Sequence, residues 1–201
     1  MRLGLYGGSF DPIHRGHLDP VREAMEEMAL DRVVYLPTAY PPHKGDRELA
    51  SPFHRYVMVE LALLDDPGLI VSPHELVEGV SYTVETLRHF RRRYPEGELF
   101  FLLGSDSFVG LESWREWSEL PGLARLIVMR RPGWEEATRP ESLSPGLADL
   151  VAGGQVLFAA NRPIDAAATT VRRELAEGRE VTHGELPERV LQYIRKYDLY
   201  R

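Results

Sequence analysis

The sequence predicts an α/β protein built on a single doubly wound parallel sheet with helices on both faces. Short continuous apolar runs recur along the chain and alternate with segments whose apolar residues have helical spacing. Strands without polar alternation are buried on both sides, which a parallel sheet covered by crossover helices provides. The first run also ends in a double glycine directly before a helical segment, the place in such a sheet where ligands bind.

In chain order, residues 2–6 form the first strand and run into Gly7-Gly8. Residues 17–30 put Leu18, Val21, Met25 and Met28 on one helical face. Pro20 is expected within the first turn of that helix, where proline costs little. Residues 33–36 are the next strand. Ser51-Pro52 then opens a helix, with serine as N-cap and proline at the first helical position. Leu69–Val71 is a third strand, and 83–94 is a helix with Val84, Leu87, Phe90 and Tyr94 on one face. Residues 99–103 are a wholly apolar strand ending at Gly104; Arg125–Met129 and 156–159 are two more. Helices over 167–176 and 187–197 close the chain, and the crossovers are expected to be right-handed. Two long irregular stretches, 38–50 and 132–144, have the length of functional or mobile loops. With no internal repeat or low-complexity tract, residues 1–201 read as a single domain.

Composition narrows the chemistry. The 201 residues include no cysteine, which excludes disulfides, thiolate nucleophiles and cysteine-bound metals, and fits a reducing, cytoplasmic compartment. A net charge of -7 argues against a protein that grips nucleic acid by its backbone. Arg88, Arg91, Arg92 and Arg93 lie on the polar side of an amphipathic helix and read as a solvated face. The longest apolar stretches, near 57–64 and 123–129, each carry a charge and fall short of the ~18 residues of a membrane span. No secretory leader precedes the first strand.

The segment from Gly7 to His17, Gly-Gly-Ser-Phe-Asp-Pro-Ile-His-Arg-Gly-His, is the most informative. Glycine at 7 and 8 is expected to supply unusual backbone geometry and close ligand approach. Exposed N–H groups in such a turn, with a helix N-terminus beyond, form an anion site. Neither of the two commonest phosphate-loop patterns is present, so the chemistry rests on His14 and His17. Spaced three apart at a helix entrance, both imidazoles can face one pocket, with Gly16 keeping space between them. Each can donate a hydrogen bond to phosphate and carry positive charge near neutral pH. The same pair could instead be capping or surface residues, or hold a metal with Asp11.

The joint pattern resembles the phosphate-binding signature of the nucleotidyltransferase superfamily that shares a HIGH-type motif with class I aminoacyl-tRNA synthetases. Pro41-Pro42-His43-Lys44, Ser81-Tyr82-Thr83-Val84-Glu85-Thr86-Leu87, Gly104-Ser105-Asp106, Trp114 and Arg130-Arg131-Pro132-Gly133 follow in the order seen in bacterial nicotinate-nucleotide adenylyltransferases. The closing Leu186-Pro187, Tyr193-Ile194 and Leu199-Tyr200 are similar too, so the resemblance spans essentially the whole chain.

That resemblance implies a Rossmann-like fold and adenylyl transfer from ATP to nicotinate mononucleotide, giving nicotinate adenine dinucleotide and pyrophosphate in NAD biosynthesis. Mg²⁺ is implied, bound through the ATP phosphates rather than by protein ligands. His14 and His17 are the implied catalytic groups. Gly7, Gly8, Ser9, Phe10, Gly104, Asp106, Thr169 and Arg172 would bind ATP, with Asp106 at ribose hydroxyls. Asp106 could also be a helix N-cap. Thr169 and Arg172 match a late Ser-x-Thr-x-x-Arg motif, but Ala167 stands in place of the serine and removes one hydroxyl contact. Arg172 could equally lie on a solvated helix face.

His43, Lys44, Tyr82, Thr83, Trp114 and Arg131 would take the mononucleotide. Trp114 would stack on the pyridine ring, with Trp117 packing in the core. Amides at the start of the 83–94 helix could receive the nicotinate carboxylate. His43 and Lys44 could be no more than solvated loop residues. The expected partners are the two nucleotides, with no nucleic acid and no membrane; self-association as a homo-oligomer stays open. Two other activities remain compatible with the residues: adenylyl transfer to nicotinamide mononucleotide or phosphopantetheine, and nucleotide binding without catalysis.

Overall fold

A computed structural model describes residues 1–40, 49–77, 82–179, 181 and 185–201. The strands are β1 (Arg2–Gly8), β2 (Arg32–Pro37), β3 (Leu69–Val71), β4 (Glu98–Gly104), β5 (Arg125–Met129) and β6 (Val156–Phe158). They form one sheet in the order β3-β2-β1-β4-β5-β6, and every described pairing is parallel. The helices, in chain order, are α1 (Arg15–Glu27), α2 (Pro52–Leu63), α3 (His74–Val77), α4 (Thr83–Arg93), α5 (Ser105–Val109), α6 (Leu120–Leu123), α7 (Pro145–Ala152), α8 (Ala168–Ala176) and α9 (Glu188–Lys196).

Side chains alternate across the sheet, and in the inner strands β1, β2, β4 and β5 most of both sets are buried, whereas Ile70 and Phe158 on the edge strands are exposed. Tyr6, Val33, Tyr35, Phe100, Leu102, Ile127 and Met129 face a core shared with α1, α2, α8 and α9. Leu3, Leu5, Val34, Leu36, Leu99, Phe101, Leu103, Leu126 and Val128 face a second core, built with α4, α5, α6 and α7. This two-sided cover is the doubly wound arrangement that the apolar runs predict. Each such buried side chain contributes roughly 1.5–3 kcal/mol relative to exposure.

The strand order reverses between β1 and β4, which lie side by side with Leu3 opposite Leu99 and Tyr6 opposite Leu102. Loops leaving their carboxyl ends diverge there, opening the crevice where ligands bind in such sheets.

Several local expectations change. Helix α1 starts at Arg15, so Pro20 is its sixth residue and lies past the first turn. It leaves the Gly16 carbonyl without its usual donor four residues on. Gly7 and Gly8 belong to β1, paired with Leu36 and Pro37, and neither has a left-handed φ. The left-handed residue of the turn is Phe10, at φ 47. The 132–144 stretch contains a 3-10 turn at Pro140–Ser142 and leads into α7, a helix beyond the expected elements. The basic side of α4 is only partly solvated. Arg88 pairs with Glu85, Glu116 and Glu119, while Arg91 donates to the carbonyls of Gly97 and Leu123. Among the described residues, no helix is long and apolar enough to cross a membrane.

Candidate active site

A cavity of about 740 Å³ opens at the carboxyl edge of β1 and β4. The floor is strand: Tyr6, Gly7 and Gly8 from β1, and Phe101 to Gly104 from β4. One side is the β1–α1 turn with Ser9, His14 and His17; another is the start of α8, from Ala166 to Thr169. Asp106, Arg131, Trp114, Arg115, Tyr82, Thr83, Glu75 and Thr38 form much of the rest of the lining.

The two histidines are ordered by the helix they begin. His14 is the N-cap of α1, and its side chain accepts from the Gly16 N–H through Nδ1 at 3.1 Å. His17 reciprocates, its Nδ1 facing the His14 N–H at 3.4 Å. This is a capping box with imidazoles in place of the usual Ser and Glu. The capping and pocket readings of the pair are therefore both met. The rings lie 3.9 Å apart between centroids, inclined at 36°. An Nδ1 that accepts a hydrogen bond places the proton of neutral His14 on Nε2.

Burial, joined by the nearby Arg131 and Arg172 charges, lowers the His14 pKa to about 4. At neutral pH His14 is thus a neutral hydrogen-bond donor, so of the two capacities expected of it the donor role is the one it keeps. Gly16 is required for the pair, since a Cβ there would stand 2.9 Å from His14 Cε1 and 3.2 Å from the Ala166 carbonyl oxygen.

The role of the double glycine also changes. Neither residue needs special dihedrals. A Cβ on Gly7 would meet only the rim of the Phe101 ring, at 4.0 Å, so glycine there leaves cavity space open. A Cβ on Gly8 would press on the Phe10 ring at 3.0 Å. Phe10 itself does not line the cavity. Its side chain is 1% exposed and packs edge-on against Tyr6 and His17, at 5.4 and 5.2 Å between ring centroids.

On the β4 side, Gly104 lets Asp106 and Arg131 close over the strand end. A Cβ there would fall 2.4 Å from Asp106 Oδ1 and 2.5 Å from Arg131 Nε. Arg131 Nε approaches Asp106 Oδ1 at 3.2 Å, but without hydrogen-bond geometry, so that buried oxygen accepts from no described residue. The N-cap of α5 is Gly104, which excludes the capping reading of Asp106.

At the far end, Trp114 meets Phe101 edge-on at 6.1 Å, and the Arg115 guanidinium lies 4.6 Å over the Tyr82 ring. Trp117 packs into the second core, as expected. Tyr82 is the N-cap of α4, so that helix begins at the cavity wall. Thr169 lines the cavity, whereas Arg172 does not: its guanidinium donates to the carbonyl and carboxylate of Asp11 and to Thr169 Oγ1, the last at 3.3 Å. With a side chain only 13% exposed, Arg172 is not on a solvated face either. Ala167 is the N-cap of α8 and makes no side-chain cap bond. His43 and Lys44 lie outside the described residues.

The fold adds groups that sequence reading missed. Glu75 is 6% exposed and accepts from the hydroxyls of Thr38 and Thr86, each at 2.8 Å. Arg115 joins the cavity beside Trp114. Beneath the turn, Asp11 is 1% exposed and receives the Ala50 N–H at 3.1 Å and the Tyr200 hydroxyl at 2.7 Å. Arg55 is fully buried, and it had a sequence signal: it continues the α2 stripe of Met58, Val59 and Ala62, an arginine at an apolar-face position. Among the described residues, no group of three or more His, Asp or Glu side chains is placed to hold a metal ion.

Fold and cavity together define a doubly wound α/β protein whose candidate ligand site lies at the switch point of its sheet. The model of the cytidylyltransferase-like family matches residues 5–174. A Thermus thermophilus protein named "Probable nicotinate-nucleotide adenylyltransferase" is 42% identical over 202 residues, covering 100% of both chains. A protein of the same name from Aeromonas hydrophila is 41% identical over 213 residues, covering 99% of this chain and 97% of its own. The chain belongs to the cytidylyltransferase-like family and, within it, to the nicotinate-nucleotide adenylyltransferases. Among solved structures, the Plasmodium falciparum nicotinic acid mononucleotide adenylyltransferase complexed with NaAD superposes with a TM-score of 0.76 at 18% identity, over 99% of this chain and 97% of that one, which supports the fold.

Proposed function

We propose that the protein transfers the adenylyl group of ATP to nicotinate mononucleotide, forming nicotinate adenine dinucleotide and releasing pyrophosphate in NAD biosynthesis. The observation that carries this reading is one cavity that gathers the glycine turn, both histidines, Asp106, Trp114, Arg131 and the start of α4. The full-length relatives bear the matching name. The reading takes residues 1–201 as a single catalytic domain, acting in the cytoplasm on two small nucleotides, without nucleic acid or membrane.

The mononucleotide phosphate is already ionised, so its attack on the α-phosphorus needs no general base. An oxygen of that phosphate forms the new P–O bond as the bond to pyrophosphate breaks in line. Catalysis then rests on positioning and on donors aimed at developing charge. His14 and His17 fill that role through Nε2–H. Backbone groups at Gly8, Ser9 and Phe10, with the α8 start at Thr169, take the phosphates. In this reading the Asp106 oxygen that lacks a donor receives a ribose hydroxyl.

Trp114 stacks on the pyridine ring, Arg131 takes the mononucleotide phosphate, and the α4 amides beyond Tyr82 and Thr83 receive the carboxylate. Arg172, turned onto Asp11, acts in this reading by holding the turn rather than by reaching the triphosphate. Glu75 and Asp106 are the carboxylates in the described lining, and both Glu75 oxygens accept from threonines. That donor set suits Mg²⁺ held by phosphate oxygens and water, where it would neutralise phosphate charge.

Protein mixed with ATP, Mg²⁺ and nicotinate mononucleotide should release pyrophosphate. His17→Ala should lower kcat by about 10²–10³, the usual effect of losing one electrostatic donor. Parent protein no faster than the variant would reject the activity. Initial rates should be higher with the nicotinate than with the nicotinamide mononucleotide; the reverse order would select the amide enzyme instead.

A further inference from the structure

We propose that Arg55 is a positioning residue for the phosphate-binding turn: its buried guanidinium holds the Ser9 carbonyl inward and so fixes the Ser9–Phe10 peptide and, with it, the cavity-lining Ser9. The inference rests on the proposed use of this turn to bind the ATP phosphates.

Arg55 has 0% exposure. Four hydrogen bonds run from it to backbone carbonyls: Nη1 to Ser9 and Thr38 at 2.7 Å each, Nη2 to Ala39 at 2.8 Å, and Nε to Ala50 at 2.9 Å. One planar fork therefore ties the β1–α1 turn to the chain leaving β2 and to the residue before the α2 cap. The neighbouring positions of its stripe are Met58, Val59 and Ala62, so an apolar side chain would fill this place without the cost of burying a charge. What arginine adds is geometry.

The Ser9–Phe10 peptide is trans, since Asp11–Pro12 is the cis bond of this segment. In a trans peptide the C=O and N–H point in opposite directions. With the Ser9 oxygen bound to Arg55 in the interior, the Phe10 N–H is directed away from Arg55. Phe10 also holds a left-handed φ of 47, which a bulky residue avoids unless its surroundings impose it. Two contacts impose it here. The Phe10 ring is wedged among Tyr6, Tyr35 and His17, and the carbonyl before it is held by Arg55. Release of that carbonyl would let the peptide rotate and carry Ser9 out of its place in the cavity wall.

The test replaces Arg55 with Lys, which keeps the charge but not the fork. Calorimetry measures binding of ATP and of inorganic tripolyphosphate; steady-state kinetics gives KM for both substrates. For folded Arg55→Lys we expect tenfold or weaker binding of ATP and tripolyphosphate, with KM for nicotinate mononucleotide within threefold of the parent. Arg55→Gln should be weaker still for both polyphosphates. Polyphosphate binding within twofold of the parent, or equal weakening for both substrates, overturns the proposal. Failure of both variants to fold at about 15 °C, near the usual maximum of domain stability, assigns Arg55 to the core alone and overturns it too. A parent protein that binds neither ATP nor tripolyphosphate would instead reject the reading of the turn on which the inference rests.

Discussion

His14 caps a helix and walls a cavity with the same ring, and its titration should be visible in stability. Burial holds its folded pKa at about 4, below the unfolded value of 6.5. Between those values the unfolded chain binds a proton that the folded chain excludes. Stability should therefore be fully present above pH 6.5 and fall as pH drops towards 4, by roughly 3 kcal/mol across the window. Denaturant midpoints of the parent and His14→Gln, followed from pH 4 to 8, check this. The variant keeps a side-chain acceptor but does not titrate, so its curve should lose that slope; parallel curves would show that His14 takes up its proton alike in the folded and unfolded chains. Gly16 and Gly104 act at the same scale by absence, since a Cβ on either would strike the groups that line the cavity.

Among elements, α2 links sequence signal to site most directly. Ser51 accepts from the His54 N–H at 3.2 Å, and Pro52 follows at the first helical position, both as the sequence predicts. The turn so capped carries Arg55. Ser51→Ala should cost about 1 kcal/mol, which in a domain of this size lowers Tm by about 2–4 °C. Thermal scans followed by circular dichroism measure it; an unchanged Tm would mean that tertiary contacts alone hold the first turn. Helix α4 shows how far periodicity reaches. Val84, Leu87 and Phe90 are buried as their spacing implies, but the bonds of Arg88 and Arg91 reach residues about thirty positions away. No local pattern encodes those partners. The short helices α3 and α6 leave no periodic signal in the sequence, because one turn has too few residues to show a period.

At the scale of the whole molecule, the sheet is closed so tightly by both helical layers that its centre tolerates little added volume. A Cβ on Gly4 would meet Leu102 Cδ1 and Val33 Cγ2 at 3.0 Å and Leu30 Cδ1 at 3.1 Å. These belong to β4, β2 and the chain leaving α1, so no single neighbour can move alone. Gly4→Ala should destabilise by about 1–3 kcal/mol through overpacking. Urea unfolding should show a lower midpoint at an unchanged slope; a variant as stable as the parent would show that this layer yields.

The sequence by itself determined the strands, the longer helices, the doubly wound class and the turn with its paired histidines. Those features are written in nearest-neighbour chemistry: apolar periodicity, a capping serine, a proline at a helix start, glycines at a strand end. The tertiary structure alone decided that Phe10 takes the strained dihedral in place of the glycines, that His14 is neutral, and that Arg172 turns to Asp11 rather than to the cavity. It alone brought Ser9 to Arg55, 46 residues on, and Asp11 to Tyr200, 189 residues on. Burial and long-range hydrogen bonding depend on what the folded chain packs against each group, and that is set by the crossing of strands rather than by any local run of residues.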